Sequence, residues 1–264
     1  MTKNLSLISF FITTILLINS RINLSAQNAF DQQLLFTSPA TSWEREGLPI
    51  GNGRMGAMMM GGIKEEVIQF NEQSLWSGDN NWDGEYETGD RGFGSYRNFG
   101  ELKISFNHET ENEDYKRFLD LFDGVHQRSF NTGNVSYFSE AFASYPDQVM
   151  VFRYYNTQSG GLSGKLSLHS AQGAVTSAAA QQLVFSDTMA NGLEYAAICR
   201  MINSGGSCRA EESYLSFENC DTLTLFLAAR TNYAPNYSKA WRGLPPLPRL
   251  EEEIDAAEKI INFK

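Results

Sequence analysis

Residues 194–229 read EYAAICRMINSGGSCRAEESYLSFENCDTLTLFLAA, and this stretch decides the fold class. It contains three runs rich in β-branched and aromatic residues, at 194–203, 207–218 and 221–229, each bounded by Gly, Asn, Asp or Ser. Short runs of this kind separated by turn residues are typical of β-strands. The stretch therefore predicts consecutive strands, with SGG (204–206) as a hairpin turn.

The same signal extends towards the N-terminus. Further runs recur with turn residues between them and without an intervening helical period. These runs are MGAMMMGG (55–62), VIQF (67–70), LKISF (102–106), QVMVFRYY (148–155), LSGKLSLHS (162–170) and QLVFSD (182–187). Strands at this spacing indicate antiparallel sheets packed face to face. The sequence therefore predicts an all-β fold, a large antiparallel β-sandwich (supersandwich), over residues 30–235.

The composition indicates a globular chain and excludes one class of partner. Of the 264 residues, 42% are hydrophobic and 20% are charged, which is too apolar for a disordered chain. Lys and Arg number 21 against 31 Asp and Glu, so the net charge is −10. Because a negative surface repels phosphate backbones, we expect no nucleic-acid partner.

The N-terminal segment, residues 1–26, has the composition of a secretory signal peptide. Lys3 precedes a long uncharged run, and Ala26 offers the small residue that signal peptidase prefers. The run is shorter than the roughly 20 apolar residues needed to cross a bilayer, and an N-terminal anchor or a buried helix is the alternative. We therefore expect a secreted or periplasmic protein that begins near Gln27 and is not attached to a membrane after cleavage.

Cysteine and histidine residues are few and scattered. No Cys-x-x-Cys pair or Cys/His cluster occurs, so we expect neither a metal ion nor another cofactor. Cys199 and Cys208 flank the turn at 204–206, where they either form a cross-strand disulfide or remain free residues packed in strands. His126 lies in GVHQRSF (124–130), and we expect it on the surface.

The pattern changes in the C-terminal part of the chain. Clustered prolines in WRGLPPLP (241–248) predict an extended linker, and RLEEEIDAAEKIINFK (249–264) has apolar residues at helical spacing. Those residues are Leu250, Ile254, Ala257 and Ile261. We therefore expect residues 236–264 to form a linker and the beginning of a helical segment. Because an isolated amphipathic helix of this length is marginal in water, it either lies back on the sandwich or packs on a partner.

The candidate site lies in two neighbouring segments, LPIGNGRMGAMMMGG (48–62) and EEVIQFNEQSLWSG (65–78). In the first, the glycines around Asn52 predict a tight turn that places Arg54 at the start of a strand. In the second, Glu72 is the best candidate for a site carboxylate, with Asn71 placed to hold it. The alternative is that Glu72 is a buried polar group satisfied by hydrogen bonds within the fold.

A long segment from Gly78 to Gly100 has no periodicity and is rich in glycine, acids and aromatic residues. Loops of this length are usually functional or disordered. We expect its aromatic rings either to form a sugar-stacking surface, since aromatic faces hold the C–H faces of pyranose rings, or to pin the loop onto the sheet. These residues are Trp82, Tyr86, Phe93 and Tyr96.

Six blocks of the sequence, in the same order, resemble the amino-terminal domain of glycoside hydrolase family 95, whose known activities are chiefly α-L-fucosidase. The blocks are LPIGNGRMGAMMMGG (48–62), EEVIQFNEQSLWSG (65–78), SYRNFGELKISF (95–106), YKRFLDLFDG (115–124), SEAFASYPDQVMVFRY (139–154) and AARTNYAPNY (228–237). One departure from the family pattern is Ser139, which stands where the family usually has Arg.

The resemblance implies a β-sandwich followed by a helical linker, a catalytic α/α barrel and a small C-terminal β domain. It places the catalytic acid and the water-activating groups in the barrel, so we expect no catalytic residue in this chain and little activity from it alone. The expected partners are that barrel, joined in cis or separately encoded, and fucosylated glycans. At the barrel interface or the rim of the sugar pocket we expect Asn52, Arg54, Asn71, Glu72 and Trp76.

Two alternatives belong to other functional classes. The chain is a stand-alone carbohydrate-binding β-sandwich module that uses the aromatic residues of the 78–100 segment, or it is a structural remnant that neither binds nor cleaves a glycan. Binding of fucosylated oligosaccharides distinguishes these two alternatives.

Overall fold

The structure is a computed structural model that describes residues 32–78, 94–109 and 111–260. The strands in these ranges, numbered in chain order, are β1 (Gln33–Phe36), β2 (Leu48–Gly51), β3 (Met55–Met59), β4 (Glu65–Glu72), β5 (Gly100–Phe106), β6 (Glu113–Asp120), β7 (Val125–Thr132), β8 (Val135–Ser144), β9 (Val149–Asn156), β10 (Leu162–Ser170), β11 (Ser177–Ala179), β12 (Gln182–Thr188), β13 (Glu194–Ser204), β14 (Ser207–Ala210), β15 (Tyr214–Cys220) and β16 (Thr222–Thr231). The helices are α1 (Trp43–Glu46), α2 (Pro246–Ile260) and a short 3-10 helix (Tyr237–Lys239).

The strands form two antiparallel sheets. The larger sheet has nine strands in the order β1-β6-β7-β8-β9-β16-β13-β12-β11, and the smaller has seven in the order β14-β15-β10-β5-β4-β3-β2. Neighbouring strands within each sheet run antiparallel. The predicted all-β sandwich is therefore confirmed.

The two sheets share one apolar core, because inward residues alternate with outward residues along most strands. In β5, for example, this alternation buries Leu102, Ile104 and Phe106 between the sheets. β16 differs, since nearly all of its residues are buried. Its inner face packs in the core through residues such as Leu225, and its outer face is covered by α2 at residues such as Phe226.

α2 lies on the outer face of the nine-stranded sheet, against β9, β16 and β13. Leu250, Ile254 and Ala257 are its buried apolar residues, while Ile261 lies outside the described residues. The helix therefore lies back on the sandwich, which is one of the two arrangements expected. Within the described ranges, none of the helices has the length and apolarity needed to cross a bilayer.

The helix begins earlier than the sequence pattern predicts. Its first residue is Pro246, so the predicted extended linker at 241–248 ends before that residue. Proline fixes a helical φ angle, and in the first turn of a helix its missing N–H has no intrahelical partner to lose. Prolines were therefore a signal for the start of the helix as much as for an extended segment.

The SGG turn at 204–206 connects the two sheets and does not form a hairpin. β13 belongs to the nine-stranded sheet and β14 to the seven-stranded sheet. Gly205 and Gly206 have φ angles of 67° and 59°, and a Cβ atom on Gly206 would lie 2.1 Å from the carbonyl oxygen of Glu218. The hairpin prediction is wrong because β13 pairs with β16 and β14 pairs with β15, so this turn carries the chain across to the other sheet.

The cysteines are free in the structure. Cys199 and Cys208 lie in different sheets, and neither they nor Cys220 forms a disulfide within the described residues. Burial raises the pKa of the Cys199 thiol, and it raises the pKa of Cys208 to about 11. The structure therefore has the second of the two arrangements expected for Cys199 and Cys208.

Several inward positions in the larger sheet are polar. The inward residues of β7 are His126, Arg128 and Phe130, and His126 is only 1% exposed. The surface prediction for His126 is wrong because the two-residue period of the strand puts it on the same face as Phe130. Burial lowers the pKa of His126 to about 3, and its ring nitrogens have no hydrogen-bond partner among the described residues.

Arg128 is neutralised by a carboxylate from the opposite sheet. Its Nη1 lies 2.5 Å from Oε2 of Glu66 in β4, and both side chains are almost completely buried. Ser139, the departure from the family pattern, is buried directly opposite Arg128 in the register of β7 and β8. Glu65, the residue before Glu66, faces solvent and pairs with Lys103 at 2.7 Å. The two neighbouring glutamates therefore point to opposite faces of the smaller sheet.

Candidate functional site

The turn between β2 and β3 is fixed by the side chain of Asn52. Its Oδ1 accepts hydrogen bonds from the backbone N–H groups of Arg54 and Met55, at 3.1 and 2.8 Å. Its Nδ2 donates to the carbonyl oxygen of Ser144 at 2.9 Å, and Gly53 has a φ angle of 86°. Asn52 is buried, so it ties this turn to the corner between β8 and β9 and orients the residue that follows.

Arg54 reaches from the smaller sheet to the larger one. Its Nε donates to Oε1 of Gln148 at 2.6 Å, its Nη2 to the carbonyl oxygen of Gln148 at 3.2 Å, and its Nη1 to the carbonyl oxygen of Ala229 at 2.5 Å. Burial, reinforced by the nearby charge of Arg230, lowers the pKa of the guanidinium. A cation at this depth requires carbonyl and carboxylate partners on several sides, and these residues supply them.

Glu72 is one of those partners. Its Oε1 lies 3.8 Å from Nη1 of Arg54, and its Oε2 accepts hydrogen bonds from the backbone N–H and the hydroxyl of Ser74, at 3.0 and 2.6 Å. Burial raises the pKa of the Glu72 carboxyl, against the opposing effects of Ser74 and Arg54. Ser74, and not Asn71, holds this carboxylate, because adjacent strand residues point to opposite faces. Oδ1 of Asn71 instead accepts a hydrogen bond from the backbone N–H of Phe99 at 2.6 Å.

The C-terminal helix completes this group of charges. Glu253 of α2 pairs with Arg230 of β16 and, at 3.2 Å, with Arg249 one turn earlier in the helix. Oε2 of Glu253 also lies 3.7 Å from Nη2 of Arg54. We call Arg54, Glu72, Arg230 and Glu253 the Arg54 cluster. The cluster joins both sheets and α2 at one point. Sequence reasoning missed it because Arg230 was noted only as part of the block at 228–237 and Glu253 only as part of a helical pattern.

The structure describes one of the four predicted sugar-stacking residues. Tyr96 lies within the described residues, and the others (Trp82, Tyr86 and Phe93) lie outside them. Tyr96 forms an isolated β-bridge with Trp76, and their ring centroids are 5.6 Å apart. The two residues are 44% and 47% exposed. The structure therefore brings together Trp76, which was predicted at the barrel interface or pocket rim, and Tyr96, which was predicted to stack on a sugar. Both rings remain accessible.

Trp76 also lines an open cleft of about 810 Å³. The cleft lies between the connection from β4 to β5, the turn from β12 to β13 and the segment that follows β16. We call it the aromatic cleft and define it by Trp76, Asn191, Tyr233, Tyr237, Trp241 and Arg242. Sequence reasoning missed its last four residues because two of them, Tyr233 and Tyr237, lie in a block noted only for the family resemblance, and the other two lie in the predicted linker at 241–248. The signal was the close spacing of three aromatic residues in NYAPNYSKAW (232–241).

The Arg54 cluster lies directly behind this cleft. Ser74 lines the cleft, and its hydroxyl binds Glu72 and lies 2.5 Å from the hydroxyl of Thr231. Oγ1 of Thr231 in turn accepts a hydrogen bond from the backbone N–H of Tyr233 at 3.1 Å. One chain of hydrogen bonds therefore connects the buried carboxylate to the cleft wall.

Within the part of the chain that the structure describes, no group of three or more His, Cys, Asp or Glu residues is placed to hold a metal ion. The site combines buried ion pairs with an exposed aromatic surface in front of them.

Comparisons with known proteins agree with the family resemblance seen in the sequence and with the fold. A family profile described as glycosyl hydrolase family 65, N-terminal domain, matches residues 34–91 and 83–236. "Alpha-L-fucosidase 2" of Arabidopsis thaliana is 26% identical over 285 residues, covering 87% of this chain and 33% of that protein. "Probable alpha-fucosidase A" of Aspergillus niger is 31% identical over 150 residues, covering 45% of this chain and 19% of that protein.

A solved structure shares the fold. "Putative kojibiose phosphorylase from human microbiome" superimposes with a TM-score of 0.53 at 12% identity, covering 90% of this chain and 36% of that chain. The chain spans about a third or less of the length of the two curated relatives described above. The resemblance to the N-terminal domain of fucosidase-type glycoside hydrolases is confirmed, and the chain belongs to the glycosyl hydrolase family 65 N-terminal domain family.

Proposed function

We propose that this chain is the N-terminal β-sandwich of a secreted, α-L-fucosidase-like glycoside hydrolase, and that it releases no sugar by itself. It acts on fucosylated glycans once it is joined to a catalytic α/α barrel, in cis or as a separately encoded partner. The observation that carries the proposal is the environment of Glu72, the best candidate carboxylate. Its side chain is 4% exposed and bound by Ser74 and Arg54.

Glycoside hydrolysis with inversion needs a protonated acid at the leaving oxygen and a base about 6.5–9.5 Å away, with room for water between them. The Glu72 side chain is only 4% exposed, and its carboxylate is engaged by Ser74 on one side and by Arg54 on the other. Glu66 is equally enclosed by Arg128. These carboxylates therefore support a structural role, with the reacting groups supplied by another domain.

The relatives support the substrate class. Both curated relatives are fucosidases by name, and this chain matches only a minor part of each. The resemblance to their family implies that the catalytic groups lie in the barrel, which supports this part of the proposal. Of the residues predicted at the barrel interface or pocket rim, Trp76 is the one that is half exposed, whereas Asn52 and Glu72 are buried. We therefore propose that Trp76 forms the rim and that the buried residues hold the surface behind it.

The catalytic part of the proposal is tested with the full chain and an aryl α-L-fucoside. We expect no release of fucose by the chain alone, and we expect release when the C-terminal remainder of the Arabidopsis relative is fused after Lys264. Glu72→Gln in the unfused chain is the matched variant. Release by the unfused chain that disappears in Glu72→Gln would contradict the proposal.

Secretion is tested separately. We expect a bacterial host to export the chain and to cleave it near Gln27, and mass spectrometry of the exported protein measures the new N-terminus. Replacing Leu5 and Leu7 by Arg disrupts the apolar run and should keep the chain inside the cell. Export of the uncleaved chain attached to the membrane would instead favour an N-terminal anchor.

A further inference from the structure

We infer that the aromatic cleft binds a neutral oligosaccharide and does so without a catalytic domain. This inference rests on the proposed function for the general class of ligand, a glycan. The location, and the preference for an uncharged sugar, come from the residues that form the cleft. Three features support it, which are the exposed ring faces, the fixed backbone that carries Trp241, and the charges of the lining.

The rings present accessible faces. Nε1 of Trp76 donates to the carbonyl oxygen of Gln73 at 3.1 Å, which anchors the edge of the indole while the residue remains 47% exposed. Tyr233 and Tyr237 are 48% and 74% exposed, and both line the same cleft. An aromatic face packs against the C–H groups of a pyranose, and a tyrosine hydroxyl offers a hydrogen bond to its hydroxyl groups.

The backbone that carries one of the rings, that of Trp241, is held in an unfavourable conformation. Ala240 and Trp241 are consecutive non-glycine residues with φ angles of 49° and 61°, in the left-handed region. The backbone N–H of Trp241 donates to the carbonyl oxygen of Asn236 at 3.0 Å, and its carbonyl oxygen accepts from Ala234 at 3.0 Å. These bonds fix Trp241 against Tyr237, with ring centroids 6.1 Å apart in an edge-to-face arrangement. Such strain is typical of binding sites, where fixed groups reduce the entropy cost of binding.

The lining favours an uncharged ligand. None of the described lining residues carries a carboxylate, and the cation in the lining, Arg242, is already engaged. Its Nη2 donates to the carbonyl oxygen of Asn191 at 2.8 Å and its Nε to that of Gly192 at 3.2 Å. The whole chain carries a net charge of −10, which disfavours acidic sugars. The cleft volume of about 810 Å³ is in the range of small-molecule sites.

The test is isothermal titration calorimetry of the full chain with 2′-fucosyllactose as the neutral probe and 3′-sialyllactose as the acidic probe. We expect saturable binding of the neutral probe at micromolar to millimolar concentration and weaker binding of the acidic probe. Trp76→Ala and Tyr237→Ala should each weaken binding about tenfold through the loss of one ring. Phe122→Ala is the matched control, since Phe122 is 84% exposed but lies in the turn between β6 and β7.

Three results would overturn the inference. These are the absence of heat with both probes at millimolar concentration, unchanged affinity in both Trp76→Ala and Tyr237→Ala, and tighter binding of the sialylated probe. Circular dichroism checks that each variant is folded. If Trp76→Ala does not fold, the affinity of Tyr237→Ala alone decides the test. Because this readout needs no hydrolysis, its failure is distinguishable from a failure of the fusion protein to release fucose.

Discussion

Nη1 of Arg54 and Oε1 of Glu72 lie 3.8 Å apart, with side chains that are 12% and 4% exposed. Arg54 directly precedes Met55, which pairs with Glu72 in the register of β3 and β4, and Glu253 approaches Arg54 from α2. An intact ion pair at such depth contributes little net stability, because desolvation offsets the attraction. Removal of one partner has a much larger effect, since the other charge stays buried without compensation.

We therefore expect Arg54→Met to lower the free energy of unfolding by about 3–5 kcal/mol. Urea denaturation followed by circular dichroism measures this change. Lys103→Met is the matched control, because Lys103 pairs with Glu65 at 2.7 Å but the side chains are 39% and 49% exposed. The control should lose no more than about 1 kcal/mol. Equal losses of unfolding free energy in the two variants would show that breaking the buried Arg54 cluster costs no more than breaking an exposed ion pair.

Ile254 provides a test of how α2 is attached. It is fully buried on the outer face of the nine-stranded sheet, and Arg200 supports the same helix through Asp255 and Glu258, at 2.6 and 2.9 Å. Ile254→Ala should destabilise the protein by about 2–5 kcal/mol and should speed proteolytic cleavage within the helix. Glu252→Ala, on the exposed face, should change stability by no more than about 0.5 kcal/mol. If Ile254→Ala resists proteolysis as well as the wild type does, the contacts of α2 with the sheet do not contribute to stability.

His126 gives the protein a defined response to acid. The ring titrates near 6.5 in the unfolded chain, whereas burial, with the charges of Arg128 and Arg117, lowers its pKa to about 3 in the folded protein. Between these values the unfolded chain binds a proton that the folded chain does not bind. Stability is therefore complete above the unfolded pKa and falls as the pH falls from about 6.5 towards 3. The slope from this residue approaches about 1.4 kcal/mol per pH unit.

Urea unfolding at a series of pH values measures this slope in the wild type and in His126→Leu. The variant should lose that part of the slope, whatever its stability at neutral pH. His169→Leu, at an exposed position on β10, is the control for the replacement of an imidazole ring by an apolar side chain. A variant at His126 with the same slope as the wild type would contradict a buried neutral ring.

The thiols give a test of the cysteine arrangement. Burial raises the pKa of Cys199, Cys208 and Cys220, in the case of Cys208 to about 11. Since the thiolate is the reactive form, Ellman's reagent at about pH 8 should modify none of them rapidly in the folded protein. After unfolding without a reductant, all three should react. Detection of a single thiol at that stage would demonstrate a disulfide.

Much of the sandwich could be predicted from the sequence because its strands follow apolar and β-branched runs. The run at 162–170 corresponds to β10 at both ends. β6 and β7 were not among the predicted runs, since their inward positions include Arg117, Arg128 and His126, which look like surface residues in a sequence. Arg128 is stable inside only because its partner Glu66 comes from the opposite sheet, and a linear pattern does not contain that information.

The site was predictable in part for the same reason. The turn at Asn52 and the burial of Glu72 follow from local signals, namely flanking glycines and strand alternation. Arg230 and Glu253 join the Arg54 cluster only because α2 docks on the outer face of β16. The aromatic cleft depends on three separate connections meeting at one end of the sandwich, and spacing along the chain does not reveal that meeting.

The position of β16 has a consequence for how this protein is made. It is the last of the described strands, yet it lies inside the larger sheet between β9 and β13, and Phe152 pairs there with Leu225. On the ribosome, β9 and β13 therefore keep unpaired, apolar edges until the final strand has emerged. Folding dominated by such distant pairings is slow, and bare strand edges invite other nascent chains. Production of soluble protein should thus depend on slow synthesis or abundant chaperones, and a chain that stops before Thr222 should aggregate.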